Sequence, residues 1–103
     1  MPSSQALVAT PNARRYLRML CKHWSHKFDV VYDETHGRVP FSAEASADFA
    51  IDHADRLVLR ATHADAAQLP RLEGVIVEHL QRFAIKEPLA VAWSAVAPND
   101  AAA

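Results

Sequence analysis

The chain has 103 residues, half of them hydrophobic and 22% charged, with 11 basic against 12 acidic side chains and a formal net charge of -1. That length makes one domain with a thin core, and the balanced charge excludes a polyanion-coating protein, an acidic tail protein and a disordered chain. Two glycines exclude a glycine-rich phosphate loop, and one cysteine excludes a disulfide framework or a multi-cysteine zinc or iron–sulfur centre.

In chain order, Gln5 to Ala9 is a short apolar run that predicts a strand at the edge of a sheet. Thr10-Pro11 predicts a helix start, because threonine caps and proline in the first turn forfeits no needed N–H. Ala13, Leu17, Leu20, Cys21 and Trp24 recur at three- and four-residue steps. At about 100° per residue they form one stripe, which predicts a helix from Pro11 to His26. Asp29 to Asp33 is β-branched and aromatic and predicts a strand. Glu34-Thr35-His36-Gly37 predicts a hairpin turn with Gly37 at positive φ. Arg38 to Ser42 pairs back, with Pro40 marking an edge position.

Ala45, Ala47, Phe49 and Ile51 alternate with Ser46, Asp48, Ala50 and Asp52, a strand with one buried and one wet face. After a turn at His53-Ala54-Asp55, Leu57 and Leu59 alternate with Arg56 and Arg60 in a strand from Arg56 to Thr62. Asp65 with Gln68 resembles a capping box. Leu69, Leu72, Ile76, His79, Leu80 and Phe83 then predict a second helix to Ala84, with Pro70 either starting it or bending its first turn. Leu89, Val91 and Trp93 alternate with Ala90, Ala92 and Ser94 in a last strand.

The order β-α-β4-α-β predicts an α+β domain: an antiparallel sheet of five to six strands with both helices on one face. It resembles the fold of TATA-binding-protein repeats, an analogy that carries no function. One domain over 1–103 is expected, with an ordered core over 5–95 and a fraying tail over 96–103. Met1 to Thr10 lacks a basic, apolar signal segment and no run approaches the roughly 18 apolar residues of a membrane span. The single thiol then points to a reducing cytoplasm.

Several blocks together resemble a bacterial family: Arg15-Tyr16-Leu17, Leu20-Cys21-Lys22-His23-Trp24-Ser25-His26-Lys27, Gly37, Arg71-Leu72-Glu73 and His79-Leu80-Gln81-Arg82-Phe83-Ala84. The chain is similar, over nearly its whole length, to domain-of-unknown-function family twenty-two eighteen. That resemblance implies a setting near bacterial iron and siderophore uptake and implies no reaction and no site residues.

Read from the residues alone, Arg14, Arg15, Arg18 and Lys22 fall on one outward face of the first helix and are candidate ligand-binding residues. Arg14 and Arg15 sit in its first turn, where positive charge opposes the macrodipole at about 0.3–1 kcal/mol each at low salt. The bland alternative is a solvated charged face. His23, His26 and His79 are candidate metal ligands. Cys21 lies about 140° around the helix from His26, on the apolar stripe, and reads as a buried core thiol. His79 lies in the apolar face of the second helix, where a core histidine satisfied by one hydrogen bond is the bland reading and a ligand the sharper one. Asp33, Glu34 and His36 flank the first hairpin turn, as cation ligands or as ordinary turn residues.

Catalytic signatures such as Gly-x-Ser-x-Gly and His-Glu-x-x-His do not occur, which lowers the odds of an enzyme. Four charges with few interleaved aromatics are too thin a patch for duplex nucleic acid. The leading expectation is a small cytoplasmic module that binds a small molecule or protein partner without turnover. The alternatives are a metal-binding protein or metal-dependent enzyme using His23, His26 and His79, and a homodimer or subunit that lays an open sheet face or edge on a partner.

Overall fold

In a computed structural model, the structure describes residues 1–96. The element order is β1 (Ser3–Val8), α1 (Ala13–Trp24), β2 (Val31–Tyr32), β3 (His36–Pro40), β4 (Ala45–Ile51) and β5 (Leu57–His63). A 3-10 turn over Ala66–Gln68 leads into α2 (Leu69–Phe83), and β6 (Ser94–Val96) follows. The six strands form one sheet in the order β2-β3-β4-β5-β1-β6, every neighbouring pair antiparallel. The expected fraying tail falls largely on 97–103 and lies outside the described residues. Among the described residues no helix is long and apolar enough to cross a membrane.

Strand alternation sets the two faces. Gly37, Phe49, Leu59 and Ala6 form one cross-strand row, and Val39, Ala47, Ala61 and Ser4 the next, all buried. Both helices sit on this face. Cys21 of α1 lies against Gly37, and Glu73 of α2 accepts a hydrogen bond from the Ser4 hydroxyl. The α1 stripe of Ala13, Tyr16, Leu17, Leu20, Cys21 and Trp24 is buried, as are Leu72, Ile76 and Leu80 of α2. The opposite face carries Val31, Arg38, Asp48, Arg60, Gln5 and Ser94 in one row. There Arg38 meets Asp48 at 3.2 Å and Arg60 donates to Gln5 at 2.9 Å. Ser46, expected in water on that face, is buried.

Several expected boundaries move. β1 is not an edge, because β6 returns from beyond α2 to cover its second side. Pro40 ends β3 past the two residues that β2 supplies, so the ladder there is one-sided. Gly37 is not at positive φ; it lies within β3. Its missing side chain serves packing instead, since a Cβ there would overlap the Cys21 sulfur. The residue that does take positive φ is Asp55, at 59°. It sits in a turn closed by Asp52, whose Oδ1 accepts the Ala54 and Arg56 N–H groups at 2.9 Å.

α1 starts at Ala13 rather than Pro11. The Thr10 hydroxyl accepts the Asn12 N–H at 3.1 Å, one step before the helix begins. The helix ends at Trp24, so His26 lies outside it. Asp65 caps the 3-10 turn by accepting the Ala67 N–H at 2.9 Å, and Pro70 follows in the first turn of α2. The segment from Leu89 to Trp93 is irregular, and pairing begins only at Ser94. Leu89, Val91 and Trp93 still pack against the core, as their spacing requires. Alternation is met by any extended chain; a strand also needs a partner, and β1 offers one only from Ser3 to Gln5.

Candidate functional site

α1 carries the charge asymmetry of the molecule. It contains four of the 11 Lys and Arg residues and no Asp or Glu, so the rest of the chain holds seven basic against 12 acidic side chains. Three of the four, Arg14, Arg15 and Arg18, line a cleft of about 550 Å³. Its far wall is the β2–β3 hairpin, through Tyr32, Asp33 and Glu34. Lys22, one turn further on, does not line it. Arg14 reaches Asp55 at 3.4 Å in an exposed pair. Arg15 and Arg18 have no acidic partner among the described residues.

The hairpin wall is held rigid from within. Asp33 Oδ1 accepts the backbone N–H groups of Thr35 and His36, each at 2.8 Å. Those two bonds, with the Thr35 hydroxyl and His36, outweigh desolvation and hold the Asp33 carboxyl below its ordinary pKa. Asp33 is thereby a turn-forming side chain, in keeping with the ordinary-turn reading of Asp33, Glu34 and His36. Glu34 and Tyr32 remain exposed beside the arginines.

At the other end of α1, His23 and His79 come together with ring centroids 5.1 Å apart. His79 is half-buried, and its Nδ1 lies 2.7 Å from the Val75 carbonyl. His23 contacts Trp24 and Phe83 edge-on, at 5.9 and 6.0 Å. Trp24 in turn meets His79 at 4.9 Å and Phe41 at 5.2 Å, and stacks parallel to Phe49 at 6.0 Å. His23, Trp24, His26, Phe28, Phe41, Val75 and His79 with Lys27 border a cavity of about 460 Å³. Desolvation first, then the charges of His79, His26, Arg82 and Lys27, lower the His23 pKa. His26 borders the cavity without completing a ligand set: no three His, Cys, Asp or Glu side chains among the described residues converge. Cys21 is fully buried, and burial pushes its thiol up to about 12, so it is an inert core group.

The family model for an uncharacterized protein conserved in bacteria (DUF2218) matches residues 5–94. The chain belongs to this family. Its structure is similar to the NMR structure of PA4090 from Pseudomonas aeruginosa, with 31% identity and a TM-score of 0.70, covering 90% of this chain and 94% of that one. No curated protein matches. Neither the family description nor PA4090 speaks to iron or siderophore handling. The blocks that carried the family resemblance meet in space: Cys21 against Gly37, and His23 and Trp24 against His79 and Phe83.

One polar cluster has almost no signature in the sequence. Glu87, beyond α2, accepts hydrogen bonds from the hydroxyls of Thr10 at 2.8 Å and Tyr16 at 2.6 Å and from the Asn12 amide at 3.1 Å. It ties the segment after α2 to the start of α1, beside the arginines. The Tyr16 hydroxyl first, then Asn12 and Thr10, hold its carboxyl below the usual glutamate range. The Tyr16 phenol is raised in turn, chiefly by donating to Glu87. The signal available in the sequence was slight: one acidic residue between Lys86 and Pro88. Tyr32 was equally silent, as one aromatic in a short strand.

Proposed function

We propose that this chain is a small binding module, without turnover of its own, that holds an anionic small molecule between α1 and the β2–β3 hairpin. The observation that carries this reading is the cleft itself. It gathers Arg14, Arg15 and Arg18 across from Tyr32, Asp33 and Glu34, and two of the guanidinium groups lack an ion partner among the described residues, while the Asp33 carboxylate is engaged by its own turn. Planar guanidinium groups match carboxylate and phosphate geometry through paired donors. They also lie in the first half of α1, on the side where its backbone N–H groups favour negative charge. The volume falls in the range of small-ligand pockets. Tyr32 adds an aromatic surface, and Glu34 disfavours a uniformly polyanionic ligand such as nucleic acid.

The test is an amide ¹H–¹⁵N titration with inorganic phosphate, citrate and a ferric siderophore. Saturating shifts confined to residues 14–18 and 32–34 support the module, and shifts with the siderophore alone tie it to iron handling. Arg15→Glu with Arg18→Glu should abolish the shifts while leaving the circular dichroism unchanged. A flat response to all three probes, or shifts unaffected by the double substitution, rejects the cleft as the site.

A further inference from the structure

The opposite end of α1 carries a second chemistry, independent of the cleft. We propose that His23 and His79 form an open two-imidazole site for a late first-row divalent metal ion of the Zn²⁺ type. Ring spacing is the first argument. A coordinated imidazole nitrogen lies about 2.0–2.1 Å from Zn²⁺, which puts each ring centroid about 3.2 Å from the metal and two centroids about 5.2 Å apart at a tetrahedral angle. The observed separation is 5.1 Å.

Tautomer is the second argument. The Val75 carbonyl can only accept, so His79 Nδ1 carries the proton and donates the 2.7 Å bond. The His79 lone pair is thereby assigned to Nε2. A backbone carbonyl on the far nitrogen is the support that metal-bound histidines usually have.

The site supplies two protein ligands, since no third His, Cys, Asp or Glu converges among the described residues. Water or an exogenous ligand completes the coordination. The cavity around it is lined by Trp24, Phe28, Phe41 and Val75 together with His26 and Lys27, so an exogenous ligand there would join apolar or aromatic surface to an anionic donor atom. Imidazole donors without thiolate suit Zn²⁺, Cu²⁺ and Ni²⁺ rather than Mg²⁺ or Ca²⁺.

Zn²⁺ alone is the probe, read by long-range ¹H–¹⁵N correlation of the six imidazole rings in untagged protein. The expected result is a saturable change at His79 Nε2 and at one His23 nitrogen with 1:1 stoichiometry. His23→Gln should weaken that binding at least tenfold, and His26→Gln should leave it within threefold. His36, His53 and His63 remain in every variant and report background binding. His23 is exposed, so His23→Gln should stay folded and decides the matter even if His79→Gln melts. Absence of a saturable response at both rings, or equal affinity in His23→Gln, overturns the site and leaves the pair as aromatic packing.

Discussion

The two ends of α1 use their outer flanks in opposite ways. The N-terminal half holds Arg14, Arg15 and Arg18 in water, the first two against the helix dipole, and a polar clamp from Glu87 ties down its start. The C-terminal end holds Trp24, His23 and His79 in aromatic contact, and its order depends on packing with Phe41, Phe49 and Phe83. Between them, Cys21 sits on the bare backbone of Gly37 and sets how closely the helix lies on the sheet. Stability at the packed end should therefore respond to volume, and stability at the charged end to pH and salt.

The largest effect is expected at the packed end. Trp24→Ala removes a buried ring shared by Phe41, Phe49 and His79. It should lower the unfolding free energy by about 3–5 kcal/mol in a urea titration. The loss should be nearly the same at low and high salt. A strongly salt-dependent loss would erase the distinction between the two ends.

Gly37→Ala comes next, because the added methyl meets the Cys21 sulfur and the Tyr32 Cβ. Overpacking of this kind costs about 1–3 kcal/mol. The same change in a Cys21→Ala background should cost clearly less, and the coupling in that double-mutant cycle measures the contact. Simple additivity would show that Gly37 is needed for some other reason.

Glu87→Gln addresses the charged end through pH. A carboxyl held below its unfolded pKa of about 4.3 stabilises the fold in full above that value, and that contribution is lost as pH falls through the folded value. The variant should be less stable than the parent at pH 7, and the gap should close as the pH drops below about 4.3. A gap that persists at pH 2 would mean that the amide fails on shape rather than charge.

The smallest effect is expected at Arg15, in the first turn of α1 with no acidic partner among the described residues. Arg15→Ala relieves the dipole conflict and should raise stability by about 0.3–1 kcal/mol at low salt, less at high salt. The same variant should weaken anion binding, so stability and binding move in opposite directions at this residue. Loss of both would place Arg15 in the structural framework rather than in the cleft.

What the sequence determined by itself was local and periodic. The stripe of Ala13, Leu17, Leu20, Cys21 and Trp24 is the buried face of α1, and the alternation around Phe49 is β4, because periods of 3.6 and 2 are properties of neighbouring residues. The outward arginines, the buried thiol and the two helices on one sheet face follow from the same rule. Tertiary structure decided everything that depends on a distant partner. β1 became interior only because β6 returns beside it. Gly37 reads as a turn glycine until Cys21 is set on it. Glu87 is an unremarked acidic residue until Thr10, Asn12 and Tyr16 surround it. Arg15 and Glu34 come to line one cleft, and His23 meets His79, by the docking of α1 against a hairpin and a second helix. Those contacts join residues far apart in the chain, and no periodicity within either segment encodes the pairing.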